Sequence, residues 1–224
     1  IEGRITERVG SIKTEKAVSL IAIFTHQIPH VFPATALAEA DASKPATHAG
    51  PGKREDWRRV EFVTIDPIDA KDHDDAVHAM PDPDPKNKDG FIVSVAIADV
   101  AAYVHEGSSM DREARLRGNS VYFPDRVVPM LPERISNDLC SLRPDEDRAA
   151  LAIRLVIGAD GRVKKHTLHR ILMRSHAKLA YEKAQAIMDA DERTHEAYPW
   201  LKTLYQAWNA TREERRARNP LDLD

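Results

Sequence analysis

The chain has 224 residues, of which 42% are hydrophobic and 31% charged, with a formal net charge of -3. That length buries a substantial core in one large domain, or one domain plus part of another, and the slightly acidic balance excludes a wholesale basic coat for nucleic acid. No apolar run approaches a membrane span, a single cysteine (Cys140) excludes an internal disulfide framework, and no basic-then-apolar signal segment opens the chain, so a cytoplasmic location without membrane association is expected.

From Ala17 to Phe24 the run AVSLIAIF precedes Pro29 and Pro33; its length leaves strand and helix equally open, and burial is expected either way. The alanine-rich Ala34–Ala42 suits a short helix, and Ser43–Gly52 (SKPATHAGPG) has linker composition, which places a boundary there. After Trp57 the pattern turns to strands. Val60–Ile65 and Ala76–Met80 flank an aspartate-rich segment, Pro81 ends the second of them, Asp82–Gly90 reads as a hairpin-type connection, and Phe91–Val100 (FIVSVAIADV) as a buried strand. Ser109–Arg117 reads as a short polar helix and Ser120–Met130 (SVYFPDRVVPM) as extended chain interrupted by prolines. Ala149–Ile157 and Arg162–Ile171 form a hairpin about the turn residues Ala159-Asp160-Gly161. Two helices follow, Ala177–Ala190 and a second in which Leu201, Leu204, Tyr205 and Trp208 fall at i, i+3, i+4 and i+7 as a stripe that requires a partner. The charge-rich Arg212–Arg218 then runs to an end without a terminating element, as in an excerpt of a longer protein. Strands interspersed with helices predict a mixed α/β or α+β fold.

Charge is segregated along the chain. Asp66, Asp69, Asp72, Asp74 and Asp75 fall within ten residues, whereas Arg162–Lys178 carries six lysines and arginines with His166, His169 and His176 interspersed. Carboxylates this dense repel one another and resist desolvation, and a cation is the usual remedy; oxygen ligands favour magnesium, manganese or calcium. The stretch lacks the glycine at position six and the glutamate at position twelve of an EF-hand loop. Asp82, Asp84 and Asp89 read as turn residues, because Pro83 and Pro85 stiffen a backbone that would have to curl round an ion. In extended chain Asp72 and Asp74 share a side, Asp75 opposes them unless the backbone bends, and Asp66 returns through the turn at Pro67. Few-carboxylate magnesium sites keep positions for phosphate oxygens and water, which favours phosphoryl transfer or phosphodiester hydrolysis. The basic run reads either as a solvated strand and helix face or as a polyanion guide towards the acidic site. Cys140 reads as a packed thiol, and His26 and His30 as packing or capping residues.

The string TIDPIDAKDHDDAV at Thr64–Val77 resembles the signature of the ribonuclease II and ribonuclease R (RNB) family, magnesium-dependent 3′-to-5′ exoribonucleases. Val95–Val104 (VAIADVAAYV), Gly118–Pro132 (GNSVYFPDRVVPMLP) and Ser136–Leu142 (SNDLCSL) extend the resemblance in the same order, with a flavour closer to ribonuclease R. Gly3–Gly10 (GRITERVG) and His26–Pro33 (HQIPHVFP) resemble the end of the family's second cold-shock domain, an OB-like β-barrel, and the connection after it. The resemblance implies 1–33 as the end of that barrel with its connection, 34–56 as helix and linker, and 57–224 as the N-terminal part of an α+β RNB catalytic domain. It implies Asp66, Asp72, Asp74 and Asp75 as the acidic cluster that holds Mg2+, or Mn2+, with Asp74 the catalytically most sensitive, and it leaves out Asp69. Tyr122 is implied as the aromatic on which the terminal RNA base packs. His73 is left out, since the family pattern varies there and hard cations prefer oxygen. The implied function is hydrolysis of single-stranded RNA to nucleoside 5′-monophosphates, with the full-length protein a monomer; the alternative is a noncatalytic RNA-binding module of the same fold. The family's catalytic domain also extends beyond the equivalent of Asp224, to an arginine that stabilises the reacting phosphate, so weak activity or none is expected of these residues alone.

Overall fold

The computed structural model describes residues 15–48, 53–191 and 193–218. In chain order, helices α1 (Glu15–Thr25) and α2 (Ala34–Ala42) precede strands β1 (Glu55–Asp56), β2 (Phe62–Asp66), β3 (Asp75–Pro81) and β4 (Phe91–Ala98). Helix α3 (Ser109–Arg117) and strands β5 (Val121–Phe123) and β6 (Arg126–Val128) follow, then β7 (Asp147–Ile157), β8 (Val163–Ala180), α4 (Tyr181–Asp189) and α5 (Tyr198–Ala217). Two compact units result, the first from residues up to Ser43 with Tyr103–Ser136, the second from Lys44–Ala102 with residues from Asn137 onward. The first stretch of the first unit ends at Ser43, where the linker-like composition begins. The return of 103–136 to the first unit has no counterpart in the contiguous division expected from sequence.

The second unit is a sheet closed on itself. Its order is β1-β8-β2-β3-β4-β7, and β7 also pairs with β8, which completes the ring. The closing strand is β8, 18 residues long. Its first part runs antiparallel to β7 from Val163 to Arg174, and its last part, Ser175–Ala180, runs parallel to β2. Closure leaves fewer unpaired strand edges. Phe62, Val63, Ala76, Ala96, Ala150, Ile171 and Met173 are buried in the strands; burying a side chain the size of Phe62 contributes about 1.5–3 kcal/mol.

Strand β8 continues four residues beyond the helix start expected at Ala177. Parallel pairing of Ala177–Ala180 with Val63–Asp66 outweighs the helix propensity of this segment. Helices α4 and α5 pack where that strand ends, in a cluster of Leu179, Ala184, Ile187, Ala197, Tyr198 and Leu201 with Ile65 and Trp200 against it. The apolar stripe expected on α5 is only partly the buried face. Leu201 is buried, but Tyr205 and Trp208 are exposed, and Ala207 is the buried residue instead. Small residues face the β7–β8 turn because the backbones nearly touch: a Cβ on Gly161 would lie 2.1 Å from the Ala210 carbonyl oxygen. No helix among the described residues is long and apolar enough to cross a membrane.

In the first unit, Ser108 caps α3 by accepting from the Asp111 N–H, and Gly118 (φ 76°) ends it. The Glu39 carboxylate of α2 accepts from the Met110 N–H at 3.0 Å, and the Arg117 guanidinium lies 3.7 Å from the centre of the Phe32 ring. Ala17–Phe24 is helical, and the burial expected of it is partial: Ile23 is buried, while Val18, Ile21 and Phe24 are exposed. Gly3–Gly10, which carries most of the cold-shock resemblance, lies outside the described residues.

Candidate active site

The acidic segment is the connection between two neighbouring strands of the ring. Asp66 is the last residue of β2, opposite Ala180 of β8, and Asp75 the first of β3, opposite Ile97 of β4. Asp72 and Asp74 lie on the loop between them. That loop is held along its length by main-chain bonds. The Ala98 N–H donates to the Asp74 carbonyl at 2.9 Å and the Leu142 N–H to the His73 carbonyl at 2.8 Å. Ser141 joins it twice, its Oγ accepting from the His73 N–H and donating to the Lys71 carbonyl, each at 3.2 Å. Lys178 Nζ donates to the Ala70 carbonyl at 3.1 Å.

Burial decreases from Asp66, which is buried, through the half-buried Asp72 to Asp74 and Asp75 at the rim. Desolvation, followed by the charges of Asp72, Asp75 and Asp66, holds the Asp74 carboxyl above its ordinary range; His73 opposes the shift. Desolvation and then Asp66 raise Asp75 likewise. The four predicted residues therefore meet electrostatically, Asp74 feeling the charges of the other three. Asp69 is exposed, and no interaction joins it to the cluster. Among the described residues no lysine or arginine pairs with Asp72, Asp74 or Asp75. Nor do any three carboxylate, imidazole or thiol groups among them stand close enough together, as placed, to hold a metal ion. The donor set is all oxygen, with His73 on Asp66 as its one nitrogen partner and no lysine or arginine upon it, the chemistry that suits a hard divalent cation.

Tyr122 belongs to the first unit, at the centre of the β5–β6 ribbon opposite Val127, with 69% of its surface exposed. Its ring is free to receive a partner rather than packed in a core. Cys140 is buried, and desolvation, with Asp74 and Asp99 adding to it, pushes its thiol up to about 12, which agrees with an inert packed side chain. His30 meets the Phe24 ring edge-on at 5.1 Å and its Nδ1 lies 3.3 Å from the Ile28 carbonyl, a packing role.

The basic run is largely spent within the fold. Arg170 pairs with Asp99 at 3.0 Å, Arg174 with Asp147 at 2.7 Å, and Lys164 bonds the Asn87 side chain at 2.5 Å. Its first residue, Arg162, helps line a cleft of about 580 Å³ with Trp208, Arg212, Arg215 and Arg218, where Glu214 answers Arg162 and Arg218 at 3.9 and 2.9 Å.

Two features escape sequence reading. Asp99 is buried between Arg54 at 2.7 Å and Arg170, joining residues 45 and 71 positions apart. His73 is 3% exposed, with Nδ1 2.8 Å from Oδ2 of Asp66. A histidine flanked by aspartates was a signal, but nothing local said which carboxylate it would meet.

A family model described as the RNB domain matches residues 54–224. Ribonuclease R of Vibrio cholerae is 40% identical over 96% of this chain, which covers 27% of that protein, and ribonuclease R of Escherichia coli is 40% identical over 95%, again 27% of its length. The solved structure of Mycoplasma genitalium RNase R in complex with ribose-methylated single-stranded RNA superposes with a TM-score of 0.86 at 28% identity, covering 96% of this chain and 34% of that one. The chain thus spans about a quarter to a third of each of these three proteins. With an acidic loop set in a closed sheet of an α+β fold and a family match over most of its residues, it belongs to the RNB family and resembles ribonuclease R.

Proposed function

We propose that the full-length protein is a magnesium-dependent 3′-to-5′ exoribonuclease that hydrolyses single-stranded RNA to nucleoside 5′-monophosphates, and that this chain supplies the carboxylate side of its active site. The observation that carries the reading is the cluster of mutually repelling carboxylates between β2 and β3 within an RNB domain. Asp66, Asp72, Asp74 and Asp75 would hold the cation, Mg2+ or Mn2+. When bound, it supplies charge neutralisation for phosphate oxygens and an acidified water.

The chain's own residues do the rest of what can be assigned to it. Asp66 is fixed by the fold, while Asp74 and Asp75 stand at the rim, where they can meet water and a phosphodiester. Raised carboxyl groups signal that negative charge is held there at a cost, and a cation relieves it. The exposed Tyr122 ring offers a stacking face to a base, which gives affinity without sequence preference.

The test is Asp74→Asn in the full-length protein, with degradation of single-stranded RNA compared with RNA binding. Loss of turnover by about 100-fold or more with binding kept supports the reading, on the scale of removing one preorganised electrostatic group. RNA binding without turnover in the parent protein would instead favour a noncatalytic binding module. Cation removal that lowers the melting temperature and leaves RNA degradation unchanged would reduce the cluster to a structural site.

A further inference from the structure

Among the side chains of the acidic segment, His73 is the only one whose own polar group is turned inward onto another member of the cluster. It is 3% exposed, its Nδ1 lies 2.8 Å from Oδ2 of Asp66, and its main chain is fixed on both sides, N–H to Ser141 Oγ and carbonyl to the Leu142 N–H. Ser141 is itself fully buried, and its carbonyl accepts from Arg148 Nε at 2.8 Å. The imidazole therefore has little freedom. A carboxylate only accepts hydrogen bonds, so Nδ1 carries the proton and donates.

Asp66 is the carboxylate that His73 meets. Its charge reaches both Asp74 and Asp75, and it is the most deeply placed of the four. Resting on the functional reading above, we propose that His73 is a positioning residue for the cation: by donating to Oδ2 of Asp66 it commits one carboxylate oxygen to the protein and orients the other towards the bound ion. Hydrogen-bonding partners of ligating groups fix their orientation, and losing one typically weakens metal affinity by about 10–100-fold. His73 touches neither RNA nor the reacting phosphate in this role.

The experiment uses the full-length protein and three variants. His73→Phe keeps a planar apolar body and removes the donor. His73→Asn restores an N–H near the position of Nδ1, whereas His73→Gln places one near Nε2. Free Mn2+ is titrated by electron paramagnetic resonance without RNA, and the Mg2+ dependence of RNA degradation is measured alongside. H73F is expected to bind Mn2+ about 10–100-fold more weakly and to need correspondingly more Mg2+ for half-maximal rate. At saturating Mg2+ its kcat recovers and its KM for RNA is unchanged. H73N is expected to keep most of the parent affinity and H73Q to lose it.

Unchanged Mn2+ affinity in folded H73F overturns the proposal, as does equal affinity in H73N and H73Q. The Asn and Gln pair decides the matter if H73F does not fold, since a purely structural role would lower stability in both without separating their cation affinities. A parent protein that binds no Mn2+ and degrades no RNA overturns the functional reading, and this proposal with it. A parent active in both, with variants indistinguishable from it, overturns the positioning role alone.

Discussion

Asp99 is 1% exposed at its side chain and lies between a guanidinium that is 5% exposed, Arg54, and one that is 41% exposed, Arg170. Two cations on one buried anion make its removal costly, because Arg54 would be left charged and unpaired in the interior. Asp99→Ala is expected to destabilise the protein by about 3–5 kcal/mol, read as a lower urea midpoint; a change below about 1 kcal/mol would mean that water reaches Arg54. His78 makes a different point. Burial, with Arg154 and His176 adding, holds its imidazole below the ordinary 6.5 against the opposing charge of Glu61, and its Nδ1 is buried without a partner. The fold therefore prefers the neutral ring. Its stability contribution is full above 6.5 and is lost as pH falls below that value, where the unfolded chain takes the proton first. Melting temperature measured from pH 7.5 down to 5.5 should fall more steeply in the parent than in His78→Gln; parallel curves would contradict this. Tyr122 carries a third expectation. Because its ring is exposed, Tyr122→Ala should leave melting unchanged while weakening RNA binding by about 1–3 kcal/mol, with Tyr122→Phe retaining affinity.

At the scale of elements, what was legible was whatever local chemistry decides. Ala34–Ala42 and Ser109–Arg117 have the helix bounds their composition predicts, and Phe91–Ala98 and Asp147–Ile157 lie on the strands that apolar runs indicate. Pairing partners are not local. Nothing within Ala177–Ala180 announces that β2 lies beside it, so helix propensity misplaced the end of β8, and the same long strand closes the ring through contacts from residues more than a hundred positions away. The four carboxylates were legible because their spacing is a family signature, while the His73 hydrogen bond depends on how the loop turns. The β7–β8 turn shows how tight such tertiary fits are. Gly161 has φ +78° and the Ala210 carbonyl at 2.1 Å from its would-be Cβ, whereas Gly107 has φ +76° with open space around it. Gly107→Ala should cost roughly 1 kcal/mol for the left-handed backbone alone, and Gly161→Ala about 1–3 kcal/mol more, because α5 must move. Equal losses in denaturant midpoint would show that α5 yields freely.

For the whole molecule, the decisive quantity is how much of the reaction 224 residues can perform when they cover 27% of a ribonuclease R such as that of Vibrio cholerae. The proposed cation binding needs only its donors, and all four proposed residues lie on one strand-to-strand connection whose anchors, at Ala98, Ser141, Leu142 and Lys178, are within the same compact unit. Turnover needs more. Holding a substrate in line with the attacking water is worth about 7–11 kcal/mol, and each preorganised donor to a developing charge about 10²–10³ in rate. Most of the chain's described arginines are engaged with its own acids, among them Arg170 with Asp99 and Arg174 with Asp147, which draws them away from a phosphate backbone. The isolated chain should therefore bind Mn2+ within about tenfold of the full-length protein and degrade 5′-labelled single-stranded RNA at less than about 1% of its rate. The two assays separate the contributions: retained cation affinity with lost turnover locates substrate positioning outside these residues, and processive degradation by the chain alone would show that its own surface suffices to hold RNA.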